Sequence, residues 1–247
     1  MNEPGTRRPS EEHAVLRLLL GTHLPFLVLV WTGFAVLVAG ITLVVSPFRD
    51  VEFSGWDIAC SVLRWVALAY GWWWVDRFLP VCLIHGRTRR EFMVDVTVFT
   101  AVACTTSAAL TTLWYTGEKV LYDLMDWTQG LQKDRLYDSF SDRSSIFLTY
   151  WIVLLVWSTM GMLLKAGSGH PNEGVRVLTV LPAVGMGLLA AAGTGADNLF
   201  AFRVLVHPAT GGFSPELVAL LMAAYAAGVA LTWVLVRSFP VRPTRNG

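Results

Sequence analysis

Charge is scarce in this chain of 247 residues: Asp, Glu, Lys and Arg together make 15%, against 54% hydrophobic residues. A mean hydropathy of +0.53 excludes an ordinary soluble domain, which buries its core without repeated apolar runs of about twenty residues. An excess of one sign is missing too. The net charge is +1, so no global field recruits nucleic acid. Cysteine is rare, and Cys60, Cys82 and Cys104 stand in apolar context at spacings that match no metal site or redox pair. They read as small apolar residues in helices. No Gly-x-x-x-x-Gly-Lys-Ser/Thr loop occurs, so the chain has no P-loop route to ATP hydrolysis. No glutamate falls inside an apolar run, which removes intramembrane proteolysis through paired Glu and His. With no cofactor motif and no catalytic constellation, the chain reads as a non-enzyme with no metal or cofactor of its own.

What it has in abundance is long hydrophobic runs. Six spans are expected, at roughly 24–47, 58–84, 94–115, 145–164, 177–193 and 217–236, each able to cross about 30 Å of hydrocarbon at about 1.5 Å per residue. The fold class is therefore all-α, a polytopic membrane protein. The fifth run carries Pro182, Gly185 and Gly187, breaks that survive where neighbouring protein satisfies the freed backbone groups, and so is expected inside the bundle. Ser10 to Gly21 reads as an amphipathic helix lying on the membrane, with Ser10 as N-cap and Gly21 as its stop. No cleavable leader pattern precedes it. The expected organisation is a tail and interfacial helix over 1–23, a six-helix domain over 24–238 and a second tail over 239–247. Within the domain, 116–143 forms an external cap rich in Asp and aromatic residues. The short apolar stretch inside 194–213 forms a re-entrant or interfacial element before the last span.

The most telling segment is His85-Gly86-Arg87-Thr88-Arg89-Arg90-Glu91-Phe92, a charged turn between the second and third runs. Basic turns of this kind face the cytoplasm. That choice places Arg7, Arg8, Arg17, Arg87, Arg89, Arg90, Lys165, Arg176, Arg237, Arg242 and Arg245 inside, 11 in all. Outside fall Arg49, Lys119, Lys133, Arg135, Arg143 and Arg203, which makes 6. The bias gives both termini inside. Gly86-x-Thr88-Arg89-Arg90-x-Phe92 resembles the cytoplasmic loop after the second span of type-2 ABC exporter permeases, the six-helix subunits that dock on a separate ATPase. The interfacial lead helix and the element before the last span match the family's layout; the long 116–143 segment departs from it. The resemblance implies a permease subunit in a bacterial inner membrane that exports an apolar or amphiphilic substrate. A partner subunit would bind the ATP, and a second permease copy or a related permease would complete the path. It makes Gly86, Arg87, Thr88, Arg89, Arg90, Glu91 and Phe92 an ATPase-coupling turn, the arginines for charged contacts and Phe92 as apolar anchor. Plain topogenic charge explains the arginines equally well. An accessory, immunity or regulatory protein bound to another membrane complex remains the alternative.

Few other residues invite a role. Asp76 and Arg77 stand inside the second run, where charge is costly and marks a partner or a wet cavity. Consecutive helical residues point about 100° apart, so they are not expected to neutralise each other; Asp95 is a candidate neighbour. Trp72, Trp73 and Trp74 cover most of one helix circumference, so at least one should face protein, and Trp73 is a candidate wall for an apolar substrate. Ser168-Gly169-His170 has the order found in membrane lipid phosphatases, but the basic clamp and second His that chemistry needs are not suitably placed. In the last run, Ala223, Ala224, Ala227 and Gly228 form two small-x-x-x-small pairs suited to close helix packing.

Overall fold

The computed structural model describes residues 14–48, 54–127, 130, 142–192 and 215–238. The start of the expected interfacial helix, the 194–213 element and most of the cap beyond Trp127 fall outside them. The described residues form helices and short connections, with no strand among them. In chain order the helices are α1 (Ala14–Val45), α2 (Gly55–Cys60), α3 (Leu63–Trp73), a π-helical turn (Trp74–Phe78), α4 (Leu79–Ile84), α5 (Arg89–Met125), α6 (Arg143–Ser168), α7 (Glu173–Ala192) and α8 (Pro215–Arg237). Six stretches among them are long and apolar enough to cross a bilayer, the second assembled from α2 through α4. The chain is a multi-pass helical membrane protein.

Three expectations about these helices need correction. First, α1 does not stop at Gly21: it runs unbroken through Gly21 and Pro25. The missing Pro25 N–H would have bonded the carbonyl four residues back, and that residue is Gly21, which has no side chain to crowd the displaced turn. Second, the third span does not end at Tyr115 but continues to Met125, about 55 Å in all. Glu118, expected outside the spans, therefore lies on a spanning helix. Third, the helix inside the bundle is the fourth span and not the fifth. In the apolar window of α6, 83% of residues are buried, against 33% in α7. A helix hydrophobic on every side suits a central position, and α6 packs on α3, α5, α7 and α8. α7 lays only one face on it, with Ala183, Met186 and Ala190 buried while Gly185 faces open space. α1 is outermost, leaning on α5 and α2.

The closest approach in the bundle joins α3 to α6. A Cβ added at Gly71 would fall 1.9 Å from the Ser158 carbonyl oxygen, and one at Gly161 would fall 2.0 Å from that of Leu68. The backbones touch because neither glycine interposes a side chain, the usual means of tight association in lipid. In α8 the two small pairs separate. Ala224 and Gly228 face the bundle, with Gly228 against Met186 and Thr159, whereas Ala223 and Ala227 are exposed.

Candidate functional site

A cleft of about 340 Å³ opens between α1, α3, α5 and α6. It exists because α1 leans on α5 and α2 while α3 is drawn towards α6 by the Gly71 and Gly161 contacts. Phe26 and Val30 of α1 and Val62 and Val66 of α3 line it and are about half exposed. The mouth therefore faces sideways, into lipid. Ala67, Gly71, Ala103 and Leu154 form its floor. Along α1 the lining runs from Phe26 to Phe34, and along the second span from Val62 to Trp74, lengths of roughly 12 and 18 Å.

Aromatic groups gather towards both ends of the cleft. At one end the His23 ring sits edge-on to Trp73, Trp74, Phe78 and Phe99, with centroids 5.7, 5.1, 5.9 and 6.2 Å away. Its Nδ1 lies 3.4 Å from the Tyr70 hydroxyl. Towards the other end Trp31 Nε1 donates to Ser107 Oγ at 3.1 Å, and Trp56 packs on Trp31 and Phe34. Polar groups on the wall are few. Cys104 Sγ and Ser158 Oγ lie 3.7 Å apart. Thr100 is buried and its hydroxyl has no hydrogen-bond partner, unlike Thr105, Thr111 and Thr112, which bond back to the carbonyl four residues earlier. No charged side chain is among the described lining residues.

The tryptophan triplet divides three ways. Trp74 is almost fully buried and lines the cleft. Trp73, the expected wall, is partly exposed and braces the His23 cage instead. Trp72 takes the Lys165 ammonium over its ring at 5.3 Å, a cation–π contact. The π turn beside them has a local cause. Pro80 has no N–H for the carbonyl of Asp76, and one wider turn relieves the clash of its ring. Asp76 rides on that turn and pairs with Lys165 of α6 at 2.5 Å, its other oxygen lying 3.3 Å from Arg77 Nε. Its interhelical partner is thus on the fourth span and is not Asp95, which is buried on α5. Adjacent Asp76 and Arg77 do meet, because the long arginine folds back. Nor is the pair at mid-depth: Lys165 stands in the last turn of α6, and the Arg77 side chain is 72% exposed.

The 86–92 turn is largely consumed by folding. Gly86 holds a left-handed φ of 73°, where a side chain would be strained. Thr88 caps α5 and forms a reciprocal capping box with Glu91: Glu91 N donates to Thr88 Oγ1 at 3.2 Å, and Thr88 N to Glu91 Oε2 at 2.8 Å. Arg89 donates to the Arg237 carbonyl at 2.6 Å, tying the turn to the end of α8. Phe92 is 3% exposed in the core, so it is not the apolar anchor expected for a partner. Arg90 is exposed, and Arg87 and Arg89 are partly so. No separate coupling helix forms, since Arg89 to Phe92 are the first turn of α5.

Sequence reasoning missed a second polar cluster, at the far end of the bundle. Ser54 caps α2 by accepting from Asp57 N at 3.0 Å. Glu118 accepts from Trp56 N at 2.8 Å and from the Ser54 hydroxyl, while Tyr122 accepts from Gly55 N at 3.2 Å. Glu118 and Tyr122 stand one turn apart on α5, so its extension past Tyr115 serves the exposed N–H groups that open the second span. Deeper in, Tyr115 donates to the buried Asp57 carboxylate at 2.7 Å and lies 2.9 Å from the Tyr150 hydroxyl. The signal available in sequence was Ser54-x-x-Asp57, a helix-start pattern. The three cysteines are buried and form no disulfide, and no group of acidic, His and Cys residues suited to a metal occurs among the described residues. The chain matches no protein-family model, no curated protein and no solved structure.

Proposed function

We propose that the protein is the membrane permease subunit of an ABC transporter, taking an apolar or amphiphilic molecule from the bilayer and working with a separate ATPase in a bacterial inner membrane. The observation that carries this reading is the sideways-opening cleft, because an apolar recess without charged lining suits a molecule already dissolved in lipid. The basic turn supplies the contact with the ATPase through the exposed Arg90 and the partly exposed Arg87, Arg89 being tied to α8. The 11 to 6 distribution of basic residues supports a cytoplasmic side for that turn and both termini. A second copy of the chain, or a related permease, completes the substrate path.

One observation favours the second reading, an accessory, immunity or regulatory protein bound to another membrane complex. Gly86, Thr88, Glu91 and Phe92 all serve the local fold, which removes the apolar anchor from the coupling turn. The two readings separate on co-purification. Tagged protein taken in mild detergent from its own cells should bring an ABC-type ATPase with it in comparable amount. Arg87→Glu with Arg90→Glu should lose that ATPase while melting like the wild type. Wild-type protein arriving without an ATPase would leave the accessory reading standing and remove the transporter.

A further inference from the structure

We infer that the cleft holds one acyl chain of a membrane lipid, lying along the helices, and that it selects the chain and not the headgroup. This rests on the reading above that the cleft takes an apolar molecule from the bilayer. Three observations on the cleft point to a chain. Its volume is about 340 Å³, near the small end of ligand pockets. The lining runs lengthwise along the helices for roughly 12 to 18 Å, a shape that suits an extended polymethylene chain lying parallel to them. The His23 cage lies just beyond Phe26 at one end, and the Trp31–Ser107 pair lies on the wall towards the other, so a guest that enters through the side lies lengthwise between them.

The mouth fixes the source of the guest. Val30 of α1 and Val66 of α3 both line it, apolar and half exposed on spanning helices. Bilayer lipid meets that opening directly, and no path through water is needed. With no charged side chain among the described lining residues, nothing in the cleft can pair with a phosphate or an ammonium. The headgroup stays outside, and lipids of different headgroup charge but equal chain compete equally.

The test uses full-length protein in nanodiscs with two photoactivatable probes, a phospholipid carrying a diazirine on its acyl chain and a diazirine sterol. Crosslinked residues are mapped by mass spectrometry. The expected result is acyl labelling concentrated on the cleft walls around Ala67 and Ala103, reduced several-fold by Val66→Trp. That substitution sits on the lipid-facing rim and should leave the melting temperature unchanged; Val30→Trp on α1 serves as a second blocking variant. Exchanging the phospholipid headgroup from zwitterionic to anionic should not alter the labelling. Acyl label spread evenly over the outward faces of α1 and α8, with the sterol alone labelling the cleft, would overturn the chain assignment and leave an apolar-ligand site. If neither probe labels the cleft above those outward faces, both the inference and the cleft's proposed role fail. A strong headgroup preference would overturn the claim of chain selection.

Discussion

Replacing Gly161 by alanine asks whether the crossing of α3 and α6 is the joint on which the bundle depends. The new Cβ would lie 2.0 Å from the Leu68 carbonyl oxygen and 2.8 Å from Trp72 N. Both are backbone atoms of a helix and cannot swing aside. Restoring an ordinary carbon–oxygen separation of about 3.3 Å requires the helices to part by roughly 1 Å. A gap of that size forfeits about a quarter to a half of each dispersion contact it opens, and it opens them along the face where α3 meets the central helix. Overpacking in a core typically costs about 1–3 kcal/mol. With no flexible neighbour to absorb the strain, the expected loss is about 3 kcal/mol or more. Gly185→Ala is the control: nothing lies within 4 Å of its added Cβ, so only the gain in helix propensity, up to about 1 kcal/mol, remains. Gly228→Ala should fall between them, because the atom it meets most closely is the mobile end of Met186 at 2.6 Å. The buried thiols of Cys60, Cys82 and Cys104, none in a disulfide, report unfolding to a thiol-reactive fluorophore during a thermal ramp in detergent. Gly161→Ala should melt lowest and Gly185→Ala at or above wild type. Equal melting of the two would refute the close-contact argument.

Two further outcomes test the polar groups within the spans. Asp76→Asn and Lys165→Met, measured singly and together, should show a coupling of about 1–2 kcal/mol, between the values typical of exposed and buried pairs, since the two side chains are 33% and 21% exposed. A coupling of zero in the thermal or denaturant assay would mean that the pair does not join α6 to the second span. Thr100→Val removes a buried hydroxyl with no hydrogen-bond partner and should be neutral or stabilising by up to about 1 kcal/mol; a clear fall in melting temperature would show that the hydroxyl is used.

Some of what the structure uses was readable in the chain. Thr88-x-x-Glu91 is a capping-box spelling at the start of a helix, and it accounts for Thr88, one of the five specified residues on which the transporter resemblance rests. Pro80 four residues after Asp76 marks the place where the second span had to depart from α-helical geometry. The cleft was not readable. Its wall combines residues from four helices, and Trp74 belongs to it while Trp73 does not. A side chain's position along the sequence says nothing of that choice until the neighbouring helices are in place.

The sequence by itself determined the number and approximate place of the membrane-spanning helices. In hydrocarbon every backbone group must find its partner within the same segment, so twenty consecutive apolar residues commit to a helix without reference to the rest of the chain. Tertiary structure alone decided which helix is central, who pairs with Asp76, and whether Phe92 faces a partner or the core. In lipid, apolar residues gain nothing from the hydrophobic effect by turning inward, so hydropathy cannot rank the spans by burial. Helix contact is set instead by shape, by whether Gly71 meets Ser158 and Gly161 meets Leu68 closely enough for backbones to touch. That fit belongs to pairs of segments about ninety residues apart, and only the assembled bundle contains it.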